Sequence, residues 1–410
     1  MTSSNFEIRP VTSEEMNAFQ ALAKYAFADN AAPDAPEEPA PLIPEWSLAA
    51  FDGNKVVASS GGYPFKIRFN GQASAADGVT AVSTDPGYRR QGAVRALITG
   101  LMHRARDNGV PVSILWASMG AIYQRFGYGL ASTMIDYAIE PRYVQFQFGE
   151  PAGGYVRLLE KDDALPHCKA IYRTYCNDRT LLLHRASVLW DIMFRRSQDQ
   201  NVNAAVYFDT HDVPKAYTLY QAKWGDNSVG SDDGQIIGVS DIAWCDIDGY
   251  RGIWEYLASH DLASKIHWWR APEDDPAPNM LLEPRRLHRR TGDAIWLRVN
   301  DVEMALAARG YDLPGEAIVR IAEDKICPWN VGTFRMTTTG EATDVERISD
   351  GGARVDFDIS INGFASLLIG HTSLSQLHRI GRANVADEAH LPVFDALFST
   401  RYRPLCSNMF

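Results

Sequence analysis

Long apolar runs are missing from this chain. None approaches the roughly 18 uncharged residues that a membrane-crossing helix needs, so no spanning helix and no membrane partner is expected. The opening MTSSNFEIRPVTSEE has neither the basic start nor the apolar stretch of a secretory leader. Cysteine is sparse. Cys168, Cys176, Cys245, Cys327 and Cys406 are odd in number and lack any C-x-x-C pair, which argues against a disulfide frame and against a zinc site. No metal site is expected, and a reducing cytoplasm suits such a chain. Surplus positive charge is missing too. A formal net charge of −11 excludes a phosphate-tracking basic face, so no nucleic acid is expected, whereas an acidic field concentrates small cations. Low-complexity tracts and short-period repeats are absent.

The 410 residues exceed a single ordinary core and predict two or three domains, and 46% apolar with 22% charged residues is globular. The apolar spacing predicts a helix over 12–27 capped by Ser13, then strands over 46–51 and 55–60 around the turn Asp52-Gly53-Asn54. Further strands are expected over 65–69 and 74–83. A helix over 90–108, a strand over 112–116, a short helix near Ile122 and a strand over 130–139 complete an α/β order with a helix between parallel strands. Between Phe27 and Trp46 lies a stretch with five prolines and five carboxylates (Asp29, Asp34, Glu37, Glu38, Glu45) and no basic residue. It reads as a surface loop, either a solvated connector or an acidic lid. A second strand-then-helix series runs from about 142 to 290, with strands over 204–208, 216–223 and 235–243 and a helix over 250–260. Strands over 294–299, 317–322 and 355–359 and helices over 301–309, 363–369 and 372–380 follow.

The chemistry concentrates in 79–128. A strand over 79–83 runs through Pro86 and Gly87 into Arg89-Arg90-Gln91-Gly92-Ala93-Val94, which opens an amphipathic helix. Main-chain N–H groups at a helix start lack internal partners and carry positive potential; a glycine there admits close approach of a pyrophosphate, and arginines add charge. A second element, Ala117-Ser118 and then Ile122-Tyr123-Gln124-Arg125-Phe126-Gly127-Tyr128, follows the next strand.

Together these two elements resemble the GNAT superfamily of N-acetyltransferases, in which such a turn binds the pyrophosphate of CoA and such a tyrosine lies near its sulfur. Val94 departs from the small residue usual at the end of the turn. The stretches RRQGAVRAL, ASMGAIYQRFGYG, DIDGYRGIWEYLASHD, DAIWLRVNDV, CPWNVGTF and the terminal PLC-x-x-x-F sharpen the likeness to the Eis (enhanced intracellular survival) family. The resemblance implies α/β mixed sheets in three parts: an N-terminal GNAT domain over 1–141, a central degenerate GNAT-like domain over 142–292 and a C-terminal sterol-carrier-like domain over 293–410. It implies a hexamer that uses acetyl-CoA to acetylate several amines of cationic aminoglycosides. It puts CoA against Val82, Thr84, Arg89, Arg90, Gly92, Ala93 and Ser118, makes Tyr123 the general acid and makes the free carboxylate of Phe410 the base.

The chemistry is consistent with that assignment. An ammonium must lose a proton before it attacks a thioester, and a carboxylate can take that proton once desolvation raises it from about 3.5. A phenol can then serve the departing thiolate. Phe27, Asp29 and Trp46 are candidates for the substrate mouth, and Asp301 is a further acidic candidate for gripping the amine. The single-arginine turn Asp248-Gly249-Tyr250-Arg251-Gly252 predicts no second CoA site. Two alternatives stay open: acetylation of protein lysines, and a lipid- or sterol-binding protein with vestigial GNAT domains.

Overall fold

The computed structural model describes residues 6–28, 42–195, 202–225, 234–349 and 354–410. In chain order the first part holds β1 (Glu7–Pro10), α1 (Met16–Ala26), β2 (Ser47–Asp52), β3 (Lys55–Phe69), β4 (Gln72–Thr84), α2 (Ala93–Asp107), β5 (Val112–Trp116), α3 (Gly120–Gln124) and β6 (Gly129–Leu130). The expected Ser13 cap does not form. Glu15 occupies the cap position instead, and its carboxylate takes Arg9 at 2.7 and 2.8 Å and Thr12 N at 2.8 Å. This ion pair closes the turn, so the helix starts three residues later than Ser13. The strands expected over 55–60 and 65–69 are one, because Lys55–Phe69 pairs with β4 along most of its length.

The middle part comprises β7 (Thr133–Ile139), β8 (Tyr155–Leu159), α4 (Lys161–Asn177), α5 (Ser187–Met193), β9 (Asn203–Phe208), β10 (Pro214–Trp224), β11 (Gln235–Trp244), α6 (Ile247–Ala258), β12 (Ala263–Ala271), α7 (Ala277–Met280) and β13 (Arg290–Asp293). The last part has β14 (Ile295–Val299), α8 (Val302–Ala308), β15 (Gly315–Ile321), β16 (Gly332–Thr338), β17 (Thr343–Ile348), β18 (Phe357–Ile359), α9 (Ile361–Leu368), α10 (Leu374–Arg379), β19 (Ala383–Val385) and α11 (Leu391–Leu397).

Two compact units result: Met1–Ser132 together with Ala294–Phe410, and Thr133–Asp293. The first unit carries a sheet of order β1-β2-β3-β4-β5-β14-β6. Its central strands are buried on both sides because helices cover both faces. Alternate residues of β2 divide accordingly: Ala49 and Phe51 pack with Phe19 of α1, while Leu48 and Ala50 pack with Leu97, Ile98 and Leu101 of α2. β14 enters this sheet antiparallel to both β5 and β6 although the whole middle part precedes it. That strand draws the last part of the chain into the first unit. The segment 130–139, which reads as one strand, divides at the unit boundary. Gly129–Leu130 pairs with β14, and Thr133–Ile139 belongs to the second unit's sheet.

A five-stranded sheet of order β17-β16-β15-β18-β19 completes the first unit, with α9, α10 and α11 around it. Its core includes Phe334, Phe357, Phe364 and Phe394. Fully buried Arg309 donates to the carbonyls of Leu368, Phe398 and Ser399 at 2.6–2.8 Å, so its charge is met by main-chain dipoles. The second unit's sheet has order β13-β7-β12-β11-β10-β9-β8 and encloses Tyr137, Tyr250, Trp254 and Trp268.

Candidate active site

Parallel strands β4 and β5 pair only at Ala76–Val112, Asp77–Ser113 and Gly78–Ile114. Beyond Gly78 they part. β4 continues against β3, and Leu115 and Trp116 of β5 turn to Trp296 and Ile295 of β14. The result is a fork whose β4 arm has one edge turned away from β3. A bulge shapes that arm: the β3–β4 register shifts between Ser59 and Gly61, Ala81 takes φ of 51°, and Ser59 Oγ holds the distortion through Ala81 O at 2.8 Å and Ser83 Oγ at 2.6 Å. A non-glycine residue at positive φ is strained, and bulges re-aim the main chain, here along Val82 to Thr84.

From the β4 arm the chain turns into α2. The helix starts at Ala93, not near Arg90 as its apolar spacing suggests, because Arg90 (φ 64°) and Gly92 (φ 95°) are left-handed. Gly92 is the cap residue. Among the described residues no side-chain cap bond forms at this helix start, and the first turn holds no acidic residue. A Cβ on Gly92 would meet nothing within 4 Å. Arg89, Arg90 and Gly92 are exposed while Ala93 is buried. This open, uncapped helix start with two guanidiniums at its lip fits a diphosphate.

Across the fork, α3 carries Tyr123. It is 6% exposed and lies in the same apolar cluster as Val79 and Leu115, the residues just past the last β4–β5 pair. Its ring stands T-shaped to that of Tyr128 at 5.6 Å. The C-terminal part braces this turn: Asn362 Nδ2 donates to Gln124 O at 2.7 Å and Tyr128 O at 2.8 Å. Buried Arg298 packs against Gly127 and pairs with Asp324 at 2.7 Å. The end of the chain also reaches the fork. The Phe410 ring stands edge-on to Phe65 at 4.9 Å and lies against Gly78, where any side chain would collide with Phe65. Trp116 Nε1 donates to Asn408 O at 2.9 Å.

Comparison with known proteins agrees with this layout. Residues 7–131 and 181–299 match two acetyltransferase (GNAT) domain families, and 302–407 match a sterol carrier protein domain. The N-acetyltransferase Eis of Mycobacterium tuberculosis is 29% identical over 337 residues, covering 79% of this chain and 78% of Eis. An N-acetyltransferase of Streptomyces avermitilis is 27% identical over 366 residues, 87% of this chain and 88% of the relative. The chain is a GNAT N-acetyltransferase of the Eis type. Its fold matches a GCN5-related N-acetyltransferase from Anabaena variabilis (TM-score 0.86, 20% identity, 99% and 100% of the two chains). It matches Eis1 from Mycobacterium abscessus similarly (TM-score 0.83, 24% identity, 98% and 100%).

GNAT acetyltransferases use acetyl-CoA as co-substrate. In this acetyltransferase Val82 and Thr84 are half-buried on the β4 arm and Ser118 is exposed beyond β5, so these two sides face the fork from opposite strands. Among the mouth candidates, Phe27 is exposed at the end of α1. Trp46 is half-buried under the Arg104 guanidinium at 5.0 Å, and Asp29 lies outside the described residues. Asp301 is committed elsewhere. Its Oδ1 caps α8 through Met304 N at 3.1 Å, and its Oδ2 takes Arg106 at 3.2 Å. A cap residue with both oxygens engaged has little left for an amine.

Burial raises the Tyr123 phenol to about 12, so it holds its proton at neutral pH. The motif reading missed Asp77, which directly precedes the fork. It is fully buried, and desolvation raises it to about 7 although Arg104 pulls the other way. The signal was present in the sequence: Asp77 is the one charged residue within 74–83.

Proposed function

We propose that the enzyme transfers acetyl from acetyl-CoA to primary amines of small cationic molecules of the aminoglycoside class. The observation that carries this reading is the fork, with an uncapped helix start at one end and a buried tyrosine and the chain end at the other. The diphosphate would rest on the main chain at Gly92 and Ala93 with Arg89 and Arg90 beside it, and the pantetheine arm would run along Val82 and Thr84. The edge of β4 would offer a main-chain N–H to the thioester oxygen, where negative charge develops as the amine adds. The carboxylate of Phe410 would take the proton that the attacking ammonium loses.

Tyr123 then meets the departing sulfur. Full transfer from a phenol at about 12 to a thiolate whose acid lies near about 8.5 is uphill by roughly 5 kcal/mol. Tyr123 therefore acts as a hydrogen-bond donor that stabilises the departing thiolate and keeps its own proton. The acidic balance of the chain supports a cationic acceptor. The aromatic filling of the C-terminal part and its buried Arg309 speak against a lipid-carrying role there. A hexamer belongs to the same proposal, and light scattering checks it. The function itself is tested by thiol release from acetyl-CoA with kanamycin in one arm and a lysine-bearing peptide in the other. Release with kanamycin supports the reading, release with the peptide alone turns it towards protein lysines, and release with neither defeats it.

A further inference from the structure

The α2 face of the first sheet holds a set of polar groups with no stated use. On β3, Ser60 and Gly62 point to that face, as their pairing with Leu48 and Val79 requires. Asp77 on β4 points the same way, two residues before Val79. Gly62 is what lets it fit, because a Cβ there would collide with Asp77 Oδ1. Among the described residues, both carboxyl oxygens of Asp77 are buried without a hydrogen-bond partner, and so are Ser60 Oγ, Tyr128 Oη and Arg104 Nε. The rest of the Arg104 head is turned to the carbonyls of Glu45 at 2.9 Å and Trp46 at 3.2 Å. An unpaired buried carboxyl costs several kcal/mol relative to an apolar residue, so packing alone does not account for it. Tyr128 ties this set to the fork. Its hydroxyl is pushed up by burial and further by the charges of Asp77 and Tyr123, and its ring rests on Tyr123.

We infer that Asp77 is a positioning residue for hydrogen-bond donation by Tyr123, acting on it through Tyr128. The inference rests on Tyr123 being that donor. Arg104 from α2 faces Asp77, and Tyr128 ahead of β6 feels both Asp77 and Tyr123 of α3, with Arg298 of β14 and Cys327 also acting on it. In so dry a place a negative charge on Asp77 opposes any negative charge building at either phenol. Neutral Asp77 leaves the Tyr128–Tyr123 pair free to stabilise the charge on the departing sulfur, and ionised Asp77 opposes that charge. Because desolvation sets the carboxyl at about 7, the change falls within the working range. The rate of the chemical step should then fall as pH rises through about 7, against the rise that amine deprotonation brings.

The test is the pH profile of kcat at saturating acetyl-CoA and amine, from about pH 6 to about pH 9, for wild type, Asp77→Asn, Tyr128→Phe and Tyr123→Phe. Asp77→Asn should lose the falling limb, run about tenfold faster than wild type at the alkaline end, and leave both KM values within about twofold. Tyr128→Phe should flatten the same limb and guards against a poorly folded Asp77 variant. A limb unchanged in both variants, or a uniform loss at every pH with raised KM, overturns the inference. Tyr123→Phe separates the two claims. If it is slow while the limb persists in Asp77→Asn, only the Asp77 role falls; if it matches wild type, the Tyr123 reading falls first.

Discussion

The molecule contains the forked sheet twice, and the two forks differ in what fills them. In the second unit β11 and β12 are parallel and pair from Gln235–Ala263 to Val239–Trp268, then stop, as β4 and β5 do after Gly78. There Arg270 of β12 reaches back to Ser240 O at 3.3 Å, so a side chain bridges the strands where they diverge. The following helix differs more. α6 is capped by Asp246, whose carboxylate accepts from Gly249 N at 2.9 Å, and Asp248 adds a second negative charge in the first turn. α2 has Gly92 in the cap position and no acid in its first turn. The lesson is that strand topology alone does not make an anion site. The helix start must keep its N–H groups unused and its surroundings free of carboxylates.

The strongest challenge to this contrast is chemical. Tyr123→Phe should lower kcat by roughly 10²-fold or more with acetyl-CoA binding intact. Equal rates in a thiol-release assay would mean that the chemistry lies elsewhere. Giving the first helix the second one's cap comes next. Gly92→Asp should weaken CoA by about 10- to 100-fold in titration calorimetry, because a carboxylate then occupies the N–H groups and the left-handed turn is strained. Arg89→Gln should raise the acetyl-CoA KM by a smaller factor, about three- to tenfold. In the other direction, Asp246→Ala should cost α6 about 1 kcal/mol in a denaturant melt, while the stoichiometry stays at a single CoA per chain because Arg270 still spans the fork.

A stability measurement sharpens the comparison further. Asp77 in one unit and Asp275 in the other are both fully buried and raised by desolvation to about 7. Asp275 accepts from Tyr250 Oη at 2.8 Å and Ala277 N at 3.1 Å, whereas Asp77 accepts from no group among the described residues. A carboxyl with a raised folded pKa binds its proton more tightly in the native state. The contribution of these two groups to stability should therefore be full below about pH 4, fall as pH rises through about 7 and level off beyond, with up to about 4 kcal/mol at stake per group. Asp77→Asn should flatten its share of that slope in melts at a series of pH values, and an unchanged slope would place the titration elsewhere.

Much of this was readable in the residues. The turn at Arg89 to Gly92 and the tyrosine of α3 announced the family because anion cradles need particular residue types at fixed spacing. The starts of α1 and α2 were misread for local reasons: an Arg9–Glu15 pair and a left-handed Arg90 override apolar periodicity. Asp301 looked like a free acid because nothing in its own segment reveals Arg106, which lies far away in sequence. Asp77 went unnoticed for a related reason. Its meaning depends on Gly62 and Tyr128, and neither is a neighbour along the chain.

The position of β14 has a further consequence for synthesis. Ser113 Oγ and Asn300 Oδ1, 187 residues apart, meet at 3.1 Å, and between them the ribosome must deliver the entire second unit. Until then the nascent catalytic sheet has an open seam between β5 and β6, lined by Val112, Ile114 and Leu115. Such exposed strand edges invite pairing with other chains, so a fragment ending near residue 132 should aggregate and not fold as a small acetyltransferase.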